Sequence, residues 1–283
     1  TPTQLAAMMA DSGASHLFID STKRAELLAS PAELPLLKHI MLDQAVQDVP
    51  SMQDWMAAEG VSAAVCEPDK TDPFNIIYSS GTTGTPKGIV HSHQMRWYQI
   101  SVGEAAGYGK PGQTALLSTP LYSNTTLAVF LVTMAYGGTA VLMPKFDCQR
   151  WLELAETLRV THTMLVPIQY QRLMDFEHFD DYDLSSLVYK NCTSAPFSAE
   201  LKAEVVRRMP GALVEIYSMT EGGVVCLLLA HLHPDKLHTV GVPWEGSEVI
   251  TIDENLQRLP AGEMGELVGR SRTMMSGYKN QPE

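Results

Sequence analysis

The sequence has few cysteines, few basic residues and no long apolar run, and each shortage excludes a class of protein. Its four cysteines, Cys66, Cys148, Cys192 and Cys226, are far apart and show no CxxC spacing. This excludes a disulfide framework or a cysteine-based zinc site, and it predicts reduced, buried thiols in a cytoplasmic protein. No stretch approaches the ~18 apolar residues of a transmembrane helix, so we expect no membrane span.

Basic residues are outnumbered by acidic ones, 20 against 32, and the formal net charge is −12. A surface of this charge argues against non-specific binding to nucleic acid or to an anionic membrane. An anionic ligand therefore needs local positive charge. Lys87, His91, His93 and Arg96 are close enough in sequence to provide it.

Helix and strand patterns alternate along most of the chain. Strands are predicted at residues 15–19, 39–42, 115–118, 139–143, 163–166, 184–190 and 213–217. Helices are predicted between them at 3–10, 23–29, 51–58, 125–136, 148–159 and 199–209, the last two capped by Asp147 and Ser198. This alternation predicts βα units that feed a largely parallel sheet.

The pattern changes near residue 222. Two short alternating runs, 248–253 and 265–269, flank a Pro-Ala-Gly turn and predict antiparallel hairpins. We therefore expect an α/β portion over residues 1–222 and a mainly β-rich subdomain over 223–283. The sequence opens without Met, inside an apparent helix, and ends on Pro-Glu, so we expect it to be an internal piece of a longer protein.

Residues 78–93 contain a loop rich in glycine and hydroxyl groups, with the sequence YSSGTTGTPKGIVHSH. A β-favouring run precedes it, and Ser92 is suited to cap a following helix, so the pattern predicts a strand-to-helix loop. Glycines let backbone N–H groups turn towards an anion, and Lys87 adds charge. The segment therefore predicts a polyphosphate site.

The segment does not fit a Walker P-loop. Counting from Gly81, that motif requires a second glycine where this chain has Pro86 and a hydroxyl where it has Gly88. Kinase-type and ATPase-type phosphate binding is therefore excluded here.

A second motif, LVEIYSMTEGG, occupies residues 213–223. It reads as a strand that runs directly into a Thr-Glu pair. At the carboxyl end of a parallel strand such side chains face the crevice where open α/β sheets bind ligands. A carboxylate there, Glu221, has the chemistry of a magnesium ligand.

Both motifs resemble the signatures of the AMP-forming adenylating enzymes, the superfamily of acyl-CoA synthetases, firefly-type luciferases and peptide-synthetase adenylation domains. The glycine-rich loop matches nearly completely. Tyr217, Met219, Thr220 and Glu221 match the family's Tyr-Gly-Met-Thr-Glu motif, with Ser218 in place of its Gly. The resemblance implies a layered αβαβα fold with largely parallel sheets, then a barrel-like β-rich subdomain, and a small C-terminal domain outside this sequence.

Two weaker matches lie between the motifs. Residues 193–196, Thr-Ser-Ala-Pro, resemble the family's Gly-Ala-Pro turn, whose backbone meets the adenine. Residues 120–124, Pro-Leu-Tyr-Ser-Asn, resemble its Pro-Leu-Phe-His segment near the acyl site, but Ser123 replaces the His. The resemblance therefore carries no role of that His over to this chain.

The resemblance implies a role for each matched position. Tyr217 would lie against the adenine, Thr220 would contact the α-phosphate, Lys87 would hold the β- and γ-phosphates, and Glu221 would bind magnesium with Thr83. The catalytic set is Lys87, Thr220 and Glu221. The nucleotide-binding set is Ser79, Ser80, Gly81, Thr82, Thr83, Gly84, Thr85, Lys87, Ser194, Ala195, Pro196, Glu215, Tyr217, Ser218, Met219 and Thr220. The acid pocket is expected to include Tyr122, Asn124, Ser218, Met219 and Val224.

The implied activity is ATP- and Mg²⁺-dependent activation of a small-molecule carboxylic acid, fatty or aryl, to acyl-AMP with release of pyrophosphate, followed by transfer to the thiol of coenzyme A. Two alternatives stay open: loading of a carrier protein's phosphopantetheine, and a non-catalytic AMP- or ATP-binding module. Because the resemblance also implies a C-terminal domain that carries a further lysine, we expect this segment alone to be catalytically impaired.

Overall fold

The structure is a computed structural model that describes residues 1–79 and 86–281. The chain divides into two compact units: Thr1–His93 with Ser276–Glu283, and Gln94–Met275. The helices are α1 (Pro2–Ser12), α2 (Ser21–Leu28), α3 (Met52–Trp55), α4 (His93–Ala105), α5 (Asn124–Ala135), α6 (Cys148–Thr157), α7 (Pro167–Met174) and α8 (Ala199–Arg208).

The strands are β1 (His16–Ile19), β2 (Lys38–Met41), β3 (Pro73–Ser79), β4 (Lys87–Ser92), β5 (Thr114–Leu117), β6 (Thr139–Leu142), β7 (His162–Leu165), β8 (Tyr189–Cys192), β9 (Ala212–Ser218), β10 (Val225–Leu229), β11 (Val242–Pro243), β12 (Glu248–Ile252), β13 (Glu266–Arg270) and β14 (Gly277–Tyr278).

The first unit contains two small sheets. Strands β1 and β2 pair in parallel, and β3, β4 and β14 form an antiparallel sheet in the order β14-β4-β3. The apolar faces of α1 and α2 pack on β1 and β2, where Ala6, Met9, Ile19, Leu27 and Met41 are buried together. Burial of these side chains stabilises a unit whose sheets have few strands.

The prediction of a strand-to-helix loop at residues 78–93 is wrong about the element that follows the loop, which is a strand and not a helix. Residues 87–92 form β4, which pairs antiparallel with β3 so that Ser79 lies opposite Lys87. Ile89 is fully buried in this strand, and the β-branched pair Ile89-Val90 favours extended backbone. The helix begins only at His93, so the glycine-rich segment joins two antiparallel strands.

The second unit is organised on a seven-stranded sheet in the order β11-β10-β9-β8-β7-β5-β6. The five strands from β9 to β6 pair in parallel, and β10 and β11 extend the sheet antiparallel. The predicted large, mostly parallel sheet is confirmed. The sequence pattern did not predict α7. It predicted a strand at 184–190, whereas the strand of the structure in this region, β8, occupies Tyr189–Cys192.

The region after residue 222 begins with β10 and β11, which belong to the large sheet. Strands β12 and β13 then pair antiparallel, with Glu248 opposite Arg270 and Ile252 opposite Glu266. The predicted hairpin is therefore confirmed. A barrel-like subdomain over residues 223–283 and the full αβαβα layering stay predictions.

The four cysteines are free thiols, as expected. Cys192 and Cys226 are buried, but Cys66 is exposed, which corrects the expectation of uniformly buried thiols. Cys66 lies in an irregular segment whose neighbours are also exposed, so no core is available to cover it. Among the described helices, none combines the length and the apolar character needed to cross a bilayer.

A buried lysine ties β8 to the start of β9. The ammonium of Lys190 donates hydrogen bonds to the carbonyl oxygens of Met209 at 3.1 Å, Pro210 at 2.6 Å and Gly211 at 2.5 Å. Burial lowers the pKa of Lys190 to about 8. Its three donors match three carbonyls of the segment that leads from α8 into β9, and so they fix where β9 begins.

We predict that Lys190→Met destabilises the protein by about 2–4 kcal/mol, because it removes the donor from the carbonyl of buried Met209 and from the partly buried bonds to Pro210 and Gly211, and a buried acceptor without a donor costs ~1–3 kcal/mol. Urea unfolding followed by circular dichroism measures the change. Lys236→Met removes an exposed lysine and is the control. Equal unfolding midpoints for the two variants would contradict the assigned role.

Candidate functional site

In the first unit, the base of the glycine-rich segment is held by side chains around Tyr78. The Tyr78 hydroxyl donates to Asp11 Oδ2 at 2.6 Å, and Asn280 Nδ2 donates to Asp11 Oδ1 at 2.9 Å. Burial and the Asp11 carboxylate both raise the pKa of Tyr78, so the phenol stays a neutral donor. Lys87 lies above the ring of Tyr278, with Nζ 5.2 Å from the ring centroid.

Gly88 is required by packing rather than by its backbone angles. A Cβ at this position would lie 3.0 Å from Ile76 Cγ2 and 3.0 Å from Lys279 Cβ. The absence of a side chain therefore lets β4 approach its neighbours closely beside Lys87. Ser79 and Lys87 flank the glycine-rich segment, while Ser80, Gly81, Thr82, Thr83, Gly84 and Thr85 lie outside the described residues.

The second unit contains a cavity of about 530 Å³. One wall is a face of the large sheet, because alternate residues of neighbouring strands line it. The opposite wall comes from α4 and α5. The sheet contributes Met164, Tyr189, Asn191, Val214, Ile216, Ser218, Val225, Leu227 and Leu229, and the helices contribute Met95, Gln99, Val102, Gly103, Asn124, Thr125, Ala128, Val129 and Val132.

The second sequence motif lies at one end of this cavity. Ser218 is the last residue of β9, and Ser218, Met219 and Thr220 all line the cavity. Tyr217 is 42% exposed and Glu221 is half-buried, and both adjoin this end outside the cavity wall. The motif therefore places a hydroxyl and a carboxylate beside the cavity, at the carboxyl end of a strand as expected.

The turn after the motif is held by its backbone. The N–H of Gly222 donates to the carbonyl of Met219 at 3.0 Å, and the N–H of Met275 donates to the carbonyl of Glu221 at 2.9 Å. The Ser271 hydroxyl donates to the Gly222 carbonyl at 2.5 Å. Gly222 has φ +75°, and a Cβ there would lie 1.9 Å from the carbonyl oxygen of Thr273. Only glycine fits this close approach.

Glu215 lies apart from the cavity. Its carboxylate pairs with Lys202 Nζ at 2.5 Å, and both side chains are buried. Burial raises the pKa of Glu215, and the Lys202 ammonium partly opposes that shift. Because Val214 and Ile216 face the cavity, the alternation of β9 turns Glu215 to the other face of the sheet.

The turn at residues 193–196 follows β8 at the same edge of the sheet. Thr193 Oγ1 donates to the Ile216 carbonyl at 2.6 Å, which ties the turn to β9. Ser194 lines the cavity, has φ +78°, and its hydroxyl lies 2.7 Å from Thr125 Oγ1 at the start of α5. Ala195 and Pro196 are exposed.

The predicted acid-pocket residues are only partly brought together. Asn124, Ser218 and Met219 line the cavity, whereas Tyr122 is 79% exposed and Val224 is packed in the core. Ser123, in the position of the family's His, caps α5 by accepting from the Thr125 N–H at 3.3 Å. The sequence analysis did not predict that α4 lines the cavity, although the cavity-lining residues of this helix recur at helical spacing along 95–103.

Comparisons with known proteins agree with the family resemblance of the two sequence motifs. The profile of the family described as AMP-binding enzyme matches residues 1–279. A feruloyl-CoA synthase of Amycolatopsis sp. is 32% identical over 281 residues, which cover 97% of this chain and 54% of that protein. A medium/long-chain-fatty-acid–CoA ligase of Mycobacterium tuberculosis is 29% identical over 249 residues, covering 87% and 42%.

Among solved structures, the amide bond synthetase McbA from Marinactinospora thermotolerans superposes with a TM-score of 0.86 at 26% identity. The match covers 99% of this chain and 56% of that one. The chain thus spans about half the length of the relatives it matches.

We predict that Gly222→Ala destabilises the second unit, because its Cβ would displace the backbone at Thr273. The matched control is Gly13→Ala, which has φ +69° but nothing within 4 Å of the added Cβ. Both carry the ~1 kcal/mol penalty of a left-handed alanine, and Gly222→Ala adds ~1–3 kcal/mol of overpacking. Thermal unfolding measures the difference, and equal melting temperatures would refute the steric constraint.

Proposed function

Because the chain belongs to the AMP-binding enzyme family, we propose that the full-length protein activates a carboxylic acid by joining it to AMP, with release of pyrophosphate. The observation that carries the proposal is the position of Ser218, Met219 and Thr220, which end β9 and line a cavity of about 530 Å³. The end of β9 and a cavity of the size that small ligands occupy therefore meet at one edge of the sheet, which supports the proposal.

The reaction gives a carboxylate a leaving group. A carboxylate oxygen attacks the α-phosphorus of ATP in line, pyrophosphate departs, and the acyl-adenylate then carries an activated carbonyl. Such phosphoryl transfer depends mainly on positioning and on charge stabilisation. In this proposal Thr220 contacts the α-phosphate, Tyr217 lies against the adenine, and Lys87 holds the β- and γ-phosphates with donors of the glycine-rich segment.

The residues fit a magnesium ion. Glu221 is a half-buried carboxylate directly after the Thr220 hydroxyl, and hard cations prefer oxygen ligands of these kinds. In the proposal Glu221 holds Mg²⁺, which would neutralise phosphate charge. The backbone contacts of Glu221 and Gly222 keep this carboxylate at the end of β9.

For the acid, we propose the fatty or aryl class. The cavity walls are mainly apolar, with Val102, Ala128, Val129, Ile216 and Leu227 among them, which suits an acyl chain or an aromatic ring. The names of the similar proteins include both kinds, a feruloyl-CoA synthase and a fatty-acid–CoA ligase.

As the acceptor we propose the thiol of coenzyme A, in line with the names of the curated relatives. The similar structure named an amide bond synthetase favours an amine acceptor as the second candidate. A carrier-protein thiol remains the third. Mass spectrometry of full-length protein incubated with Mg-ATP, coenzyme A and pooled fatty and aromatic acids tests the first candidate. An acyl-CoA product supports the first, whereas acyl-adenylate without thioester contradicts it.

We predict that Glu221→Ala in the full-length protein slows acid-dependent pyrophosphate release by about 100-fold or more, the scale of losing one such electrostatic contact. Lys87→Ala should have a milder effect. The control is Glu263→Ala, an exposed glutamate elsewhere in the second unit. Wild-type pyrophosphate release by the Glu221→Ala protein would overturn the assignment.

A further inference from the structure

A buried arginine holds two amide side chains at the cavity. Arg96 is 1% exposed, and its Nη1 donates to Gln99 Oε1 at 2.8 Å and to Asn124 Oδ1 at 2.8 Å. Burial lowers the pKa of Arg96 to about 10, which still leaves the guanidinium charged at neutral pH. Gln99 and Asn124 both line the cavity.

The arginine fixes which way each amide points. A guanidinium can donate hydrogen bonds but cannot accept them, so only the carbonyl oxygen of each amide can face it. The amide nitrogens of Gln99 and Asn124 are therefore turned away from Arg96. Both residues line the cavity, so these N–H groups are the donors that the pair can offer to a ligand there.

These amides lie at the motif end of the cavity. Helices α4 and α5 run side by side in the same direction, because Arg96 contacts Asn124 near their starts and Gly103 lies against Val132 seven residues further along α4. Thr125 bonds to Ser194, which follows the carboxyl end of β8. The starts of both helices therefore lie at the sheet edge where the motif ends β9.

The other end of the cavity lies about two helical turns from the motif end, measured along α5. Asn124 and Val132 are separated by ~12 Å along α5, from a rise of ~1.5 Å per residue. At that end the Tyr108 hydroxyl donates to Asn191 Oδ1 at 2.8 Å. An acid that enters with its carboxyl group at the motif end would meet Thr220 and the two amides there and would leave its tail in the apolar middle.

We propose that Gln99 and Asn124 bind the carboxylate of the acid through their amide N–H groups, and that Arg96 is a positioning residue that orients both. The inference rests on the proposed function, since it assigns the acid to this cavity. The donors hold the carboxylate at the end of β9, where its oxygen must attack phosphorus. They also select for a carboxylate over an uncharged group, because hydrogen bonds to charged acceptors are the stronger ones.

The test uses Gln99→Glu and Asn124→Asp in the full-length protein. Each substitution keeps the side-chain size and the oxygen that accepts from Arg96, but it replaces the N–H donors with a carboxylate oxygen. The readout is pyrophosphate exchange into ATP, driven by cinnamate or octanoate. We expect KM for the acid to rise by about 100-fold or more, and KM for ATP to change by less than about 2-fold.

Two further variants separate positioning from folding. Arg96→Lys retains a charge but lacks the planar guanidinium whose Nη1 donates to both amides, so we expect KM for the acid to rise about 10-fold. Gln53→Glu introduces the same chemical change at an exposed glutamine of α3 and should alter neither KM. An unchanged acid KM in both cavity variants, or an equal rise in the two KM values, would overturn the inference.

A binding measurement keeps this inference distinct from the proposed reaction. If the wild-type protein shows no acid-dependent exchange, adenylation itself is refuted, and calorimetry with cinnamate and octanoate then decides about the amides. Weaker binding by Gln99→Glu than by the wild type supports them. Equal binding, or no binding to the wild type, rejects them.

Discussion

The parallel pairing of β7, β8 and β9 is the constraint on which the candidate site depends. In a parallel ladder the carboxyl ends of neighbouring strands lie at one edge, so the turn after β8 and the motif after β9 meet there although Ser194 and Ser218 are 24 positions apart in the sequence. The hydrogen bond from Thr193 Oγ1 to the Ile216 carbonyl closes this edge. The cavity then follows from strand alternation, which points Val214, Ile216 and Ser218 to one face.

Buried basic side chains also hold the sheet and the cavity together, although the chain as a whole is acidic. Lys190 binds three carbonyl oxygens before β9, Lys202 pairs with Glu215, and Arg96 holds two amides at the cavity. A buried charge is costly unless its donors are satisfied, so each cation restricts the groups around it to one geometry. Lys202 and Arg96 act on side chains of β9 and of the cavity helices α4 and α5, and Lys190 acts on the segment that joins α8 to β9.

The two faces of β9 therefore have different tasks. One face packs on α8 through the Lys202–Glu215 pair and the core around Leu213, and the other lines the cavity. The motif continues from this rigid strand into a turn that Gly222 and the 271–275 segment hold through backbone contacts. Reactive side chains placed on such a support need little reorganisation when a substrate binds.

Much of the fold could be predicted from the sequence because it depends on local patterns. Helix caps at Asp147 and Ser198 and the β-branched runs placed most elements of the large sheet. Residues 87–92 were mistaken for the approach to a helix because a single strand carries no sign of its partner. Pairing with β3 is a non-local interaction, and it decides that these residues are extended.

For the site, the sequence by itself determined which chemistry is available, since a glycine-rich loop with Lys87 and a Thr-Glu pair after a strand are consecutive residues. Only the tertiary structure decided which side chains share the cavity. Glu215 and Tyr122 are close in sequence to motif residues, yet alternation and exposure place them elsewhere. Arg96, Gln99 and Asn124 come together through the packing of two helices, an arrangement that depends on sheet pairing and cannot be read from residue order.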